Sequence, residues 1–373
     1  MIYLDYAANT PVRKEVLESF NKANEKFISN PNSNHKLGLL AKQKIDEETN
    51  KIANIIKVKP SEIIYTSGAT ESNNLVIKGI CNKYKNKGKH IITTSLEHSS
   101  IIAPLNYMIS QDFEVDFVNL NSDGTINLEH LKSLLRNDTI LVSICYVDSE
   151  VGIIQPIKEI SEILKKYPNC VFHTDATQAV GKIEVDFSLA DLITFSPHKF
   201  HGLNGTGVLI KKDNIELIPI IHGGKSTTKY RAGTPTLSNI VACSKSIALA
   251  LKDISKNYEY ISNLNTKIRN YLLNFDNVII NSPNNSIPYT LNFSIRNIES
   301  NKIIKELEKN DIYISSKSAC SSDNSISNVV YALKKDKTIA ASTLRVSMSY
   351  TTIIEEIDEF LECFKKCYEK LTR

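Results

Sequence analysis

The alternation of short apolar runs with stretches of helical period constrains this chain more than any other feature. EIIYT (62–66), HIITTS (90–95), FEVDFVNL (113–120), TILVSICYV (139–147), VFHTDA (171–176), DLITFS (191–196) and GVLIKK (207–212) read as strands. Helical stretches fall between them: SGATESNN running on to Ile80, a helix from about 99, LEHLKSLL, and Pro156–Tyr167. Nearly continuous apolar strands separated by helices predict an α/β fold whose mainly parallel sheet is covered on both faces.

The two ends of the chain read differently. Thr10 at a cap position with Pro11 in the first turn predicts a helix start there. Leu37, Leu40, Ala41, Ile45 and Ile52 recur at helical spacing after NPNSNHKLG and predict a second helix. Past about residue 238 the pattern predicts one long helix from Asn239 to about Leu273. The strands YTLNFSI and TLRVSM and a closing helix over 353–371 follow. At 373 residues the chain exceeds one typical domain. The expectation is a large unit over 13–245 and a smaller α+β unit made of 1–12 and 246–373, tightly joined because no Pro/Gly/Ser linker divides them.

Composition narrows the function. A net charge of +4, from 45 basic and 41 acidic residues, is too weak for a nucleic-acid footprint. No apolar run approaches a membrane span, and MIYLDYAANT carries no signal-peptide pattern, so a cytoplasmic protein is expected. Seven cysteines without paired spacing are not a disulfide framework and suit a reduced compartment. The basic stretch KYKNKGKH (83–90) reads as a solvated turn.

Chemistry concentrates in three segments. In TFSPHKFHGLNGTG (194–207), Lys199 lies just past a strand, where α/β sheets bind ligands. A lysine there is a phosphate-binding charge or a Schiff-base former. SGATESNN (67–74) is a strand–turn–helix whose helix N-terminus suits a single phosphate; the equal alternative is that Thr70 only caps the helix. It lacks the GK[ST] ending of a nucleoside triphosphate loop. Asp175 ends a strand in FHTDATQAVGK and needs a cationic or hydrogen-bonding partner. A lysine, a phosphate site and a strand-end carboxylate together suggest pyridoxal phosphate, whose ring nitrogen works with an acidic partner.

At this point a family resemblance can be stated. YLDYAANTPV, NPNSNHKLG, TSGATESNNL, EHSS, GIIQP, DATQAVGK, SPHKFHG, RAGT, SKSACSS and LRVS fall in the order seen in cysteine desulfurases. These are fold-type I, class V aminotransferase-like pyridoxal phosphate enzymes, with a seven-stranded sheet in the large domain. The resemblance spans residues 3 to about 352 and implies a role for each matching position. Lys199 would bond the cofactor, Asp175 pair with its ring nitrogen, Gln178 meet its ring hydroxyl, and His98 stack on the ring and move protons. Ala69, Thr70, Ser196 and His198 would hold the phosphate. Thr234 would reach the phosphate of a partner subunit, implying a homodimer with shared sites, and Arg345 would clamp the substrate carboxylate. Cys320 would be the nucleophile that takes sulfur from L-cysteine as a persulfide, leaving L-alanine. A scaffold protein of iron–sulfur cluster assembly or a tRNA-thiolation enzyme would then accept the sulfur.

The residues around Cys320 agree independently. SKSACSSDNS is small and polar, and Lys317 nearby favours a thiolate. Cys145 and Cys170 read as core, and Cys363 and Cys367 as neighbours on one helix face. His198 and His201 have no carboxylate or cysteine to complete a metal set, so no metal is expected. The chain departs from the family at Asp148-Ser149 (usually Asn-Asn), at Gly223–Thr228, at Lys317 and at Ser349–Thr352, which is one residue short. Two rival readings stand beside desulfuration. One is another class V enzyme, a selenocysteine lyase or a small-amino-acid aminotransferase; the other is a non-catalytic sulfur-relay homologue.

Overall fold

A computed structural model describes residues 1–224, 226–317 and 326–372. The chain runs β1 (Ile2–Tyr3), α1 (Lys14–Lys26), α2 (Lys36–Ile56), β2 (Ile63–Thr66), α3 (Ala69–Tyr84), β3 (His90–Thr93), α4 (Ser99–Ile109) and β4 (Glu114–Phe117). It continues with α5 (Leu128–Leu134), β5 (Thr139–Ser143), α6 (Ile157–Leu164), β6 (Val171–Asp175), β7 (Leu192–Phe195) and β8 (Gly207–Lys211). The last part comprises α7 (Leu237–Ala250), α8 (Ile254–Leu272), β9 (Val278–Ile280), β10 (Thr290–Ile295), α9 (Ser300–Glu308) and β11 (Ile312–Tyr313). It ends with α10 (Asn328–Lys334), α11 (Lys337–Ala341), β12 (Thr343–Ser347) and α12 (Ile354–Thr372).

Every strand expected in the first 212 residues is present, and the seven form one sheet in the order β2-β8-β7-β6-β5-β3-β4. Only β8 runs against its neighbours. Six of the seven strands are buried along their whole length, as continuous apolar runs require, and only the edge strand β4 meets solvent. Strand β3 has β4 on one side and β5 on the other, so the chain reverses its direction of travel there. The loops leaving β3 and β5 therefore diverge and open a crevice at the carboxyl edge. Strands β12, β10 and β9 form a second, antiparallel sheet, and β1 pairs in parallel with β11.

Three local expectations need correction. Helix α1 begins at Lys14 rather than near Thr10, because the Thr10 hydroxyl is engaged elsewhere: it donates to the His198 carbonyl at 2.7 Å and accepts the His201 amide at 2.7 Å. The long helix from Asn239 is two helices, α7 and α8, broken over Leu251–Asp253. Helix α2 forms where its period places it and buries Ala41, Ile45 and Ile52, but Leu37 and Leu40 stay 52% and 44% exposed. They border a groove of about 870 Å³ between α1, α2 and α7 that also contains Ile28 and Ile55.

Candidate active site

A cavity of about 370 Å³ lies at the carboxyl edge of the sheet. Ala69, Thr70, His98, Asp175, Gln178, His198, Lys199 and Arg345 all line it, from five separate stretches of chain. Ser196 lies beneath it, fully buried. Thr234 is exposed and does not line it. Cys320 falls outside the described residues.

Strand ends deliver the polar groups. β6 ends at Asp175, and the turn that follows must pass close to the Lys199 loop. Gly181 makes that approach: its φ is +79°, and a Cβ there would sit 2.8 Å from Phe200 Cβ. β7 ends at Phe195, and Pro197–Lys199 make one tight helical turn that aims Lys199 inward. Lys199 Nζ donates to the carbonyls of Ala7 at 2.9 Å and Ala8 at 2.6 Å.

A hydrogen-bonded chain joins His98 to Asp175 through two residues that the sequence did not single out. Asn73 Nδ2 donates to Asp175 Oδ2 at 2.8 Å and to Ser100 Oγ at 2.9 Å. Ser100 Oγ therefore has its hydrogen for His98 Nδ1, 2.8 Å away, and the Ser100 amide also points at that nitrogen. Nδ1 accepts from both, so the ring proton sits on Nε2. Burial lowers the His98 pKa, against the pull of Asp175 and with the help of Lys199, so the neutral ring is favoured. The Thr177 amide holds the other Asp175 oxygen at 2.9 Å.

The opposite wall suits an anion. Helix α3 starts at Ala69 with Gly68 as an N-cap that supplies no side-chain bond, so its first amides open on the cavity. Gly207 permits this arrangement, since a Cβ there would lie 2.4 Å from the Gly68 backbone. Beside the helix end, Ser196 Oγ lies 2.6 Å from the Thr206 carbonyl and 2.8 Å from His198 Nδ1. A carbonyl only accepts, so the single hydroxyl proton goes there and His198 Nδ1 must donate. Burial, Lys199 and Lys182 push the His198 pKa down to about 4.

At the third side, Arg345 in β12 is 1% exposed. Its Nη2 pairs with Asp5 Oδ1 at 2.8 Å and its Nη1 donates to the Ser149 carbonyl at 2.9 Å, while Nε has no partner. Asp148 stiffens the adjoining loop by accepting the amides of Glu150, Val151 and Ile153. Both described flanks of the segment carrying Cys320 are tied to this side. Ser315 pairs with Arg345 through both backbone bonds, and Ser327 Oγ donates to Glu150 Oε2 at 2.5 Å. The six described cysteines are all buried, and burial raises the thiol pKa of Cys81, Cys145, Cys170, Cys243 and Cys367. None of those five is poised as a thiolate. Cys363 and Cys367 lie on one face of α12 with sulfurs 4.0 Å apart.

The residues present fit pyridoxal phosphate: an amine, a strand-end carboxylate, an uncapped helix end and a guanidinium with a buried unpartnered N–H converge on one cavity.

Comparison with known proteins follows the same line. The aminotransferase class-V family model matches residues 2–360. A protein named cysteine desulfurase IscS from Dictyoglomus turgidum is 37% identical over 379 residues, covering 99% of this chain and 95% of its own length. A NifS/IcsS protein homolog from Lactobacillus delbrueckii subsp. bulgaricus is 38% identical, covering 100% of this chain and 98% of its own. A solved NifS-like protein superposes with a TM-score of 0.93 at 32% identity, covering 99% of this chain and 100% of that one. A NifS-like protein from Rickettsia africae superposes at 0.89 with 31% identity, over 99% of both chains.

Proposed function

From the premise that this chain belongs to the aminotransferase class-V family, we propose that it is a pyridoxal-phosphate-dependent cysteine desulfurase. In this reading L-cysteine and the Cys320 thiol become L-alanine and a Cys320 persulfide: the substrate C–S bond breaks and an S–S bond forms. The observation that carries the reading is the convergence of Lys199, Asp175, His98 and Arg345 on one cavity, with both flanks of the Cys320 segment tied to its Arg345 side.

Bound there, pyridoxal phosphate supplies an electron-withdrawing ring that acidifies the substrate Cα–H and makes the substrate sulfur open to attack. The chain's own residues do the rest. Lys199 would hold the cofactor, and its amine is the group that would take and hand on the Cα proton. Asp175, already fixed by Asn73 and the Thr177 amide, offers its carboxylate to the ring nitrogen. Gln178 meets the ring hydroxyl. Ala69 and Thr70 at the α3 end hold the phosphate, with Ser196 orienting His198. His198 meets an anion well only as an imidazolium, so phosphate binding takes up a proton there. His98 Nε2–H stands in the cavity to exchange a proton with the substrate thiol. Arg345 clamps the carboxylate with Nε and an Nη hydrogen without releasing Asp5.

The same reading includes a cytoplasmic homodimer and a sulfur-acceptor partner from iron–sulfur cluster assembly or tRNA thiolation. Support for the dimer comes from the groove bordered by Leu37 and Leu40, each worth roughly 1.5–3 kcal/mol if fully covered. The exposure of Thr234, away from this cavity, supports its reaching a partner's phosphate in this reading. The reading also divides the chain into two units, 13–245 against 1–12 with 246–373, and is supported by Ala7, Ala8 and Arg345 of the second lining the cavity beside residues of the first.

The test is the release of alanine and sulfide from L-cysteine with a reductant, for wild type and Cys320→Ala. Equal release by wild type, lost in a variant that still absorbs in the visible range, is expected. A fully active variant would point to a different class V reaction, and a wild type that binds cofactor but ignores cysteine would point to a homologue without turnover.

A further inference from the structure

Lys182 takes no part in the reaction as described, yet it is 6% exposed and sits beside the cavity floor. The charges that bear on it are those of Lys199 and Arg345, both positive. A buried lysine among cations is costly, and burial together with these two neighbours pushes its pKa down to about 7. Its ammonium nitrogen lies 2.5 Å from Gln178 Oε1. On the other side of the same amide, Gln178 Nε2 donates to the Ala7 carbonyl at 3.0 Å, the carbonyl that also accepts from Lys199.

These contacts remove the ambiguity of a glutamine amide. The Ala7 carbonyl only accepts, so the NH2 group must face it, and Oε1 is left to face the lysine donor. Gln178 lines the cavity. With one Nε2 hydrogen given to Ala7, it therefore has its second hydrogen for the cavity and never its oxygen. We propose that Lys182 is a positioning residue that locks Gln178 as a hydrogen-bond donor towards the cavity, and thereby favours the deprotonated form of the ring oxygen of pyridoxal phosphate. This rests on the cofactor reading above. Without Lys182, Oε1 would be buried with no partner, and the Ala7 carbonyl alone would hold the amide in this sense.

A donor at that oxygen, with a cation behind it, favours the form that carries less proton. Removing both should raise the pH at which the visible band of the loaded enzyme titrates. The other ionisable groups near Lys182, namely Lys199, Arg345, His198, His201, Tyr6, Arg13, Tyr289 and Tyr350, are retained in the variants; His198 and His201 also feel its charge, and Gln178→Ala, which keeps that charge, separates their response from the effect carried by the amide.

The experiment is a spectrophotometric pH titration of the cofactor-loaded wild type, Lys182→Met, Gln178→Ala and the double variant. Lys182→Met should raise the midpoint by about one pH unit. Gln178→Ala should raise it similarly, and the double variant should add little, since one residue acts through the other. Lys182→Gln, which keeps a donor without the charge, should recover part of the shift and serves if the Met variant does not fold. An unshifted midpoint in a variant with an intact band, or shifts that add in full, would overturn the proposal. A wild type with no visible band would instead overturn the cofactor reading on which it rests.

Discussion

The floor and the rim of the cavity are built differently. On the floor, the titratable groups that follow strands β3, β6 and β7 are tied into chains: His98 to Ser100, Ser100 to Asn73, Asn73 to Asp175, Ser196 to His198. On the rim, Arg345 is held by one ion pair and one carbonyl, and Ser149 reaches the cavity from a loop. The departures from the family pattern at Ser149 and Lys317 fall on the rim side, whereas Lys199, Asp175 and His98 on the floor match. Proton handling needs fixed geometry on rigid elements. Recognition of substrate and acceptor tolerates substitution in loops.

The hardest way to break this contrast is at Arg345, a rim residue buried as deeply as the floor. Lysine in its place keeps the charge but loses the planar fork. Arg345→Lys should raise KM for L-cysteine by about 10- to 100-fold, the worth of one or two hydrogen bonds to a charged group. It should change kcat much less and leave the visible spectrum in place. Steady-state kinetics over a range of cysteine concentrations decide the matter. A fall in kcat with unchanged KM would place Arg345 in the proton chemistry of the floor and erase the distinction.

A second test lies where floor and rim meet. His201 sits two residues beyond Lys199 with φ of +66°, its Nδ1 2.9 Å from the Pro11 carbonyl and its Nε2 2.7 Å from Ser349 Oγ. Burial pushes its pKa from 6.5 to about 4, with Arg13 and Lys182 adding to the effect. The unfolded chain takes up a proton near 6.5 and the folded chain only near 4, so acid favours unfolding. This contribution is intact above pH 6.5 and is lost as the pH falls towards 4. Between pH 7.5 and 5 the loss from this one residue should be about 2 kcal/mol. Urea midpoints at the two pH values, for wild type and His201→Asn, measure it. Asparagine tolerates the left-handed backbone, so the variant should be less stable at pH 7.5 but lose less on acidification. Equal losses would show that the acid sensitivity comes from His198 and His173, which burial lowers to about 4 in the same direction.

The strand-end residues were legible because polar side chains terminating apolar runs are unusual. Asp175 and Lys199 could be placed at one crevice by alternation alone. What escaped was every partner fixed by long-range contact. Asn73 meets Asp175 across 102 residues of sequence and Thr10 meets His198 across 188, so neither pairing leaves a local trace. Asn73 did leave one clue: it shares the buried face of α3 with Val76, Ile77 and Ile80, where an unpartnered amide would be costly. Lys182 left the same kind of clue inside DATQAVGK. The break between α7 and α8 left only Asp253, an N-cap residue type, since Leu-Lys-Asp carries neither Gly nor Pro.

The smallest expected effect concerns the rim alone. Ser149 stands where the family usually has a second asparagine, and it offers a short hydroxyl to the cavity while its carbonyl holds Arg345 Nη1. The backbone contact is independent of side-chain identity, so a substitution there should leave Arg345 in place. Ser149→Asn lengthens the side chain by an amide that reaches further into the cavity and adds both a donor and an acceptor. One additional hydrogen bond to bound substrate is worth about 1 kcal/mol, or roughly fivefold. The variant should therefore show a KM for L-cysteine lower by about that factor, with kcat, the visible spectrum and the unfolding midpoint nearly unchanged. If kcat changed more than KM, Ser149 would be tuning the reacting atoms through the cofactor hydroxyl. The boundary between floor and rim would then have to be redrawn to include the loop after β5.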